Sequence, residues 1–600
     1  MAPLRRTIVA CAAASIALVA AARAGADEPP KSLHGEYSSY EKESIDDALA
    51  ERKAKIDVAP EGKIVEAIDV VSLEVIEKRD PAPGFLNVFH TTSRPHVIER
   101  EVLLHVGDRY TQALVDETAR NLRDLIQLSL VVVLPIEGSA PDKVRILVIT
   151  KDVWSFRLNS NVRFAGGKLE YLFLQPSEWN VAGTHHTVGA TFVLQPLSYS
   201  LGATYAVPRV LGSRVAFDAS ANAIVNRREG KAEGSYGAAS LGVPLWSALT
   251  EWSYGVSGAW RNEITRRYVN GELGAFKSVA APDSLVPFQY KSVVVTSAAY
   301  VTRSFGWSIK NDVTLGLEAS RRKYAVAFDS TQFDPRAVNE FVSRVLPLDD
   351  TRVNPFVQYR GYTSRFIRVL DFETLGLQED YRLGHDVLFK FYPVSTALGS
   401  TRTFLGFAAG AQYTFSIADG LSRTSIESIV EASSSEVADA LIEGKERIVT
   451  PRMGLGRLVF DAHQLFRPRD SLNRISFLGG DGRLRGYPTN FAFGKNVVAY
   501  NLEFRTRPIE ILACELGLDA FFDTGDAFDD WSKVHLKHAV GMGVRALFPQ
   551  LDRLVFRTDV GFPIVKGGLP PGVHPYELVI TFEQAFPMPE LQPTSVFTVR

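Results

Sequence analysis

An enzyme needs a nucleophile with its base, an acid–base pair or a set of metal ligands at workable spacing, and this chain offers four places to look. His185-His186 opens an alternating stretch, and neighbours on a strand point to opposite faces, so two imidazoles there are badly placed to share a metal. Asp526, Asp529 and Asp530 crowd beside Trp531; a hydrated turn explains them, with weak calcium binding as the alternative. Gly541-Met542-Gly543-Val544-Arg545-Ala546 fits the loose dinucleotide fingerprint, yet Val540, Met542 and Val544 alternate as in a strand and no helix follows. Cys11 and Cys514 are the two cysteines, and the first lies in an apolar N-terminal stretch, so no intrachain disulfide or cysteine-held metal is expected. The expectation is a protein without catalytic, cofactor or metal residues, and not an enzyme.

The polar residues with most to do lie in a loop. Gly479-Gly480-Asp481-Gly482-Arg483-Leu484-Arg485-Gly486-Tyr487-Pro488 places four glycines and two arginines in a segment that suits neither helix nor strand. Downstream, Tyr500, Leu502 and Phe504 alternate with Asn501, Glu503 and Arg505, and Leu516, Leu518, Ala520 and Phe522 alternate with Gly517, Asp519, Phe521 and Asp523. That is the period of strands with one apolar and one polar face. In a closed membrane barrel the apolar face meets lipid and the polar face lines a wet interior, where a loop carrying Arg485 can fold in and find carboxylates.

Leu484-Arg485-Gly486-Tyr487 resembles the Val/Ile-Arg-Gly-Phe/Tyr signature of the sixth extracellular loop in the outer-membrane assembly factor superfamily, which includes BamA-like insertases and two-partner secretion transporters. The resemblance implies that the loop enters the lumen and that Arg485 pairs with acidic residues on the inner wall. By position in Asn501-Leu502-Glu503-Phe504 and in Phe521-Phe522-Asp523-Thr524-Gly525-Asp526, it implies Glu503 and Asp523 as the partners.

The elements that must position these residues follow along the chain. Arg5 and Arg6 precede an apolar stretch from Ile8 to Ala22, and Ala24-Gly25-Ala26 is a small-residue cleavage pattern; residues 1–26 read as an export signal. Residues 27–62 are polar and proline-containing and read as a periplasmic linker, with a short helix near Ser44 to Lys55 whose alternative role is a small plug in the barrel. Residues 63–151 read as strand, helix, helix, strand, strand: Ile64 to Val71, a helix capped by Ser93, a second capped by Thr111 with Val115, Ala119, Leu122 and Ile126 on one face, then Leu130 to Ile136 and Val144 to Thr150. This order, with Gly107-Asp108-Arg109-Tyr110 before the second helix, resembles one POTRA module, which implies client binding at an open sheet edge.

From residue 152 to 600 alternating stretches dominate, and the fold class expected is an all-β transmembrane β-barrel of about sixteen antiparallel strands behind one small α+β domain. Five stretches follow the loop, as in the superfamily: Asn496 to Arg505, Leu516 to Asp523, Ala539 to Phe548, Arg553 to Phe562 and Glu577 to Phe586. The last must close the barrel on the first, near Asp152 to Arg163, and Phe586 resembles the terminal aromatic of an outer-membrane sorting signal, although fourteen residues follow it. Pro335 to Val345 and Ser425 to Leu441 read as helices in extracellular loops.

With 66 basic and 68 acidic residues the net charge is −2, so no basic field argues for nucleic acid. Aromatics are many, with 36 Phe and 20 Tyr against 4 Met, which suits strands and interfacial girdles. No apolar run reaches the roughly 18 residues of a spanning helix. The expected location is the bacterial outer membrane, with the N-terminal domain in the periplasm. The expected partners are the bilayer and unfolded outer-membrane or secreted client proteins; a chaperone or lipoprotein partner leaves no readable mark. The expected function is insertion into, or translocation across, the outer membrane, with a two-partner secretion transporter for a single large exoprotein and a passive outer-membrane channel as the alternatives.

Overall fold

The computed structural model describes residues 37–80, 84–165, 168–480, 483–511, 514–550, 553–582, 586 and 588–591. The export signal expected at 1–26 and the first part of the linker lie outside the described residues.

The N-terminal unit is a small mixed sheet covered on both faces. Helix α1 (Ser39–Arg52) starts with a capping box between Ser38 and Glu41. Strand β1 (Ile64–Leu73), helices α2 (Pro95–Glu99) and α3 (Gln112–Arg123) and strands β2 (Leu128–Glu137) and β3 (Lys143–Asp152) follow. The sheet order is β1-β3-β2, with β1 parallel and β2 antiparallel to β3. Helix α3 buries Val115, Ala119 and Leu122 against Val131, Val133, Val144 and Ile146, whereas Ile126 falls beyond the helix and is exposed. The opposite face carries Leu130, Val132, Leu147 and Ile149, and α1 covers it with Ile45 and Ala48. The helix expected in a linker or as a barrel plug is therefore the second cover of this sheet. A thin apolar stripe is enough there, because β2 and β3 are apolar on both faces and need a partner on each. Neither expected side-chain cap forms: α2 is preceded by Arg94 and α3 by Thr111, without a cap bond.

The rest is a closed barrel of twenty antiparallel strands among the described residues. In chain order they are β4 (Phe156–Ala165), β5 (Lys168–Val181), β6 (His186–Leu194), β7 (Ser198–Val207), β8 (Ala216–Asn226), β9 (Ala232–Val243), β10 (Trp252–Arg266), β11 (Gln289–Phe305), β12 (Ile309–Val326) and β13 (Asp350–Thr363). They continue as β14 (Gly384–Val394), β15 (Phe404–Ile417), β16 (Gly420–Ala432), β17 (Val437–Val449), β18 (Gly456–Arg469), β19 (Asn496–Thr506), β20 (Cys514–Phe528), β21 (Lys537–Leu547), β22 (Phe556–Ile564) and β23 (Glu577–Phe582). The expected sixteen is too few. Five strands follow the loop as expected, so the excess lies upstream, in strands such as β9 (Ala-Glu-Gly-Ser-Tyr-Gly-Ala-Ala-Ser-Leu-Gly-Val) whose small residues give almost no hydropathy alternation.

The segment expected as a helix from Ser425 to Leu441 is the β16–β17 hairpin, with Ile429 paired to Leu441 across it. Its apolar residues are split between the two faces of two strands, and read as one run they imitate helical spacing. Pro335–Arg344 is helical, here α4, with Asp334 accepting from the Arg336 N–H.

Along each strand the two faces differ. On β12 Lys310, Asp312 and Glu318 are buried inward, while Ile309, Val313, Leu315 and Leu317 are exposed outward. Among the described residues three segments occupy the lumen: the loop between β18 and β19, a hairpin between β13 and β14 (Phe366–Leu370 paired with Gln378–Arg382), and residues 586 and 588–591 after β23. The N-terminal unit lies across one mouth. Glu101 pairs with Arg209 at 2.7 Å and Arg214 at 3.0 Å in the β7–β8 turn, Arg123 pairs with Asp380 of the hairpin at 2.6 Å, and the Trp154 N–H donates to Gln550 at 2.7 Å in the β21–β22 turn.

Candidate functional site: a buried arginine cluster in the lumen

The loop between β18 and β19 is pinned before its arginine makes any ion pair. Its ends pair as a short hairpin, Ser476–Leu478 with Ala492–Gly494, and the Gly480 N–H donates to the Tyr487 carbonyl at 2.8 Å. Leu484 and Tyr487 are buried with Leu478, Val497, Ala499 and Ala539, so the apolar members of the tetrapeptide wedge it against the wall. Gly486 has φ +98°, and a Cβ on the facing Gly561 would lie 2.5 Å from its nitrogen. Loop and wall touch backbone to backbone, which two glycines permit.

That wedge sets Arg485 against β19, β20 and β22. Its Nε and Nη2 donate to the two carboxylate oxygens of Asp523 at 2.8 and 2.9 Å, and its own backbone N–H adds a bond to Asp523 at 3.0 Å. Nη1 reaches Glu503 Oε1 at 2.7 Å and Asp559 Oδ2 at 3.1 Å. The guanidinium carbon sits 3.5 Å from the centre of the Phe521 ring, a cation–π contact in a water-poor site. Sequence reasoning places Arg485, Glu503 and Asp523, and the structure brings all three together. It adds Asp559 and Phe521, which the alternation of β20 and β22 already puts on the inner face.

Around this core the charges continue to alternate. Glu503 also holds Arg505 at 2.7 Å, Arg557 pairs with Asp559, and Arg545 lies 3.6 Å from Asp519. Four buried guanidiniums (Arg485, Arg505, Arg545 and Arg557) meet four buried carboxylates (Glu503, Asp519, Asp523 and Asp559). Desolvation offsets most of the attraction in such a set, but removing one partner leaves buried charge uncompensated and costs about 3–5 kcal/mol. The cluster holds a loop in one place. Gly541 and Gly543 are explained here, since Cβ atoms on them would lie 2.1 Å from the Phe521 ring and 2.3 Å from the Asp559 carboxylate.

The remaining sites fall out differently. Phe586, expected at the end of the closing strand, is beyond it: the described strand ends at Phe582, and Phe586 is buried in the lumen, its ring 5.0 and 5.1 Å from the guanidinium carbons of Arg483 and Arg485. Lipid-facing aromatics belong to a strand, and this one has left the ladder. His185 sits in the β5–β6 turn at φ +61° and its Nε2 is 2.7 Å from Ser93 Oγ, while His186 meets Tyr205. Asp526 pairs with Lys537 at 2.5 Å and Asp530 caps a turn at Ser532. Among the described residues no group of three metal-ligating side chains forms.

Over the described residues β23 pairs with β4 only from Leu578↔Phe164 to Thr581↔Asn161, whereas β11 and β12 pair from Tyr290↔Val326 to Phe305↔Asn311.

On their own the described residues define a closed antiparallel barrel with an ion-paired lumen loop and a small α/β unit across one mouth. No family model and no curated protein matches the sequence. Solved structures similar to it include CdiB from Acinetobacter baumannii, 9% identical over 90% of this chain and 80% of that one with a TM-score of 0.40. BamA from Haemophilus ducreyi lacking POTRA domains 1–3 is 12% identical over 90% and 92%, with a TM-score of 0.35. CdiB from Escherichia coli is 9% identical over 90% and 97%, with a TM-score of 0.38.

Proposed function

We propose that this chain is an outer-membrane barrel of the assembly-factor superfamily that guides unfolded polypeptide into or across the outer membrane, with its N-terminal unit in the periplasm as a single POTRA-like module. The observation that carries the reading is the seating of Leu484-Arg485-Gly486-Tyr487 inside the barrel with Arg485 on Glu503 and Asp523, the arrangement the resemblance implies. The outward apolar face suits a bilayer. The N-terminal unit has the element order of the module, and β1 has a strand partner on one side only; past its bridge from Ile64 to Arg109, the other side offers an edge for strand addition.

The mechanism follows from the seam. In lipid each unsatisfied backbone group costs several kcal/mol, so a client strand enters most easily by pairing with an edge that is already there. The seam between β23 and β4, paired at four positions among the described residues, is where we place that edge. Arg485 grips β19, β20 and β22, and β22 is one strand from the seam, so the loop steadies that side while the other moves. Lipid and unfolded clients are the partners in this scheme, and nucleic acid has no place in it.

Deleting the gene and comparing the proteins of the outer membrane and culture fluid with the parent strain tests the reading. Loss of several unrelated barrels is expected. Loss of one large secreted protein instead moves the assignment to two-partner secretion, and steady conductance with no loss of any protein moves it to a passive channel.

A further inference from the structure

Beyond β23 the described residues, 586 and 588–591, lie inside the barrel. From 586 to 591 no described residue belongs to a strand, so this tail takes no part in the ladder that closes the wall. Side chains hold it instead, and they hold its backbone. Arg447 Nη2 donates to the Phe586 carbonyl at 2.5 Å, Arg423 Nη1 donates to the Pro589 carbonyl at 3.1 Å, and the Glu373 carboxylate accepts the Met588 N–H. Charge-assisted bonds to peptide groups are strong and indifferent to the side chain they sit beside. Three side chains are held: Phe586 lies against Arg483 and Arg485, Met588 enters the apolar cluster of the lumen hairpin with Phe372 and Tyr381, and Leu591 is buried beside Gly410.

The groups that grip the tail are anchored without it. Arg447 is fixed by Asp461 at 2.7 Å, Arg483 pairs with the same carboxylate, and Arg485 is tied to β19, β20 and β22. A cavity of about 560 Å³ opens beside Met588, Pro589 and Glu590 and runs to Arg123, Asp124 and Asp380 at the mouth under the N-terminal unit. Glu590 is exposed. Residues 586 and 588–591 can therefore leave without breaking a strand pair, and another segment can enter by the same route.

We infer that this cleft is a peptide-binding site, filled at rest by the chain's own tail, which takes an extended peptide bearing one aromatic side chain from the mouth that carries the N-terminal unit. Backbone carbonyls go to Arg447 and Arg423, an N–H goes to Glu373, and the aromatic ring goes between Arg483 and Arg485. Such a site takes most of its grip from the backbone, so it accepts many sequences that bring an aromatic residue with apolar residues just beyond it. It goes beyond the role proposed above and does not depend on it, because its readouts belong to the purified protein and not to a deletion strain.

The test uses the full chain and a version ending at Phe582, each reconstituted in planar bilayers, with a synthetic peptide of residues 583–600 added from the mouth of the N-terminal unit. The shortened barrel is expected to conduct at least twofold more. The peptide is expected to return it to the full-chain value, and a peptide with Phe586→Ala should need at least fivefold higher concentration. Equal conductance of the two chains, or a shortened barrel that ignores the peptide, overturns the inference. Should the shortened chain not fold, the full chain with Gly410→Cys, Leu591→Cys and Cys514→Ser serves, since a Cβ on Gly410 would lie 3.2 Å from Leu591 Cδ2. Cross-linking of the pair by a short dithiol-reactive linker is expected, slowed by excess peptide; no cross-link, or a rate the peptide leaves unchanged, overturns it equally.

Discussion

Arg485 is one side chain that ties three strands and a loop together, and its replacement has a definite expected signature. Arg485→Ala strands Asp523, Glu503 and Asp559 in a buried site, a loss of about 3–5 kcal/mol, so some barrel should assemble but unfold on gels at a lower temperature and with reduced activity. Arg485→Lys keeps the charge and loses the two-pronged bond to Asp523, and should fall between. A variant as heat-resistant and active as the parent would remove the loop from the mechanism. His185 makes a second prediction at this scale. It is buried in the β5–β6 turn, on Ser93, which itself donates to Asp152 at 2.9 Å, and Asn180 bonds the His185 N–H. Burial pulls its pKa down to about 4, against a smaller opposing pull from Asp152 and Glu101 and alongside Arg100. A histidine lowered in this way is neutral when folded, so its contribution is whole above its ordinary value near 6.5 and is lost as pH falls toward 4, by up to about 3 kcal/mol. Protease resistance of the N-terminal unit should decline across that window, and His185→Asn should flatten the decline.

The lumen hairpin is the element that joins the N-terminal unit to the barrel interior. Its outer strand carries Asp380, paired with Arg123 at 2.6 Å, and Gln378, which donates to Glu41 of α1 at 2.9 Å. Its inner side packs Phe372 and Tyr381 with Leu421, Val449 and Met588. The hairpin thus links α3 to the tail through direct contacts. Arg123→Asp should accelerate protease cleavage of the hairpin and raise resting conductance. The double exchange Arg123→Asp with Asp380→Arg should restore both, with a coupling of about 1–3 kcal/mol in a double-mutant cycle. Additive losses would mean that the pair is incidental to the docking.

For the whole molecule the seam between last and first strands is the feature that the proposed function needs. A disulfide between Val162→Cys and Ile580→Cys, which are register partners on β4 and β23, should abolish client insertion and be reversed by reductant. The same bond between Val295→Cys and Arg321→Cys, partners on β11 and β12, should leave it intact. Insertion that continues through a locked seam would mean that clients do not use the edge.

Much of this was legible in the residues. The run from Gly479 to Pro488 announces a loop, the alternation of Tyr500 to Arg505 and of Leu516 to Asp523 assigns Glu503 and Asp523 to the inner face, and the five strands after the loop can be counted. These are local properties, set by glycine content and a period of two, and no distant contact is needed to read them. What only the tertiary structure decided depends on partners remote in sequence. Helix α1 is a cover because β2 and β3, some eighty residues on, are apolar on both faces. Ser425 to Leu441 is a hairpin because β15 and β18 offer it ladders on either side. Twenty strands close the barrel because the small-residue strands take their pairing from neighbours and not from their own pattern. Asp559 joins Arg485, and Phe586 leaves the wall for the lumen, because closure brings β22 and the tail to a loop some seventy to a hundred residues earlier.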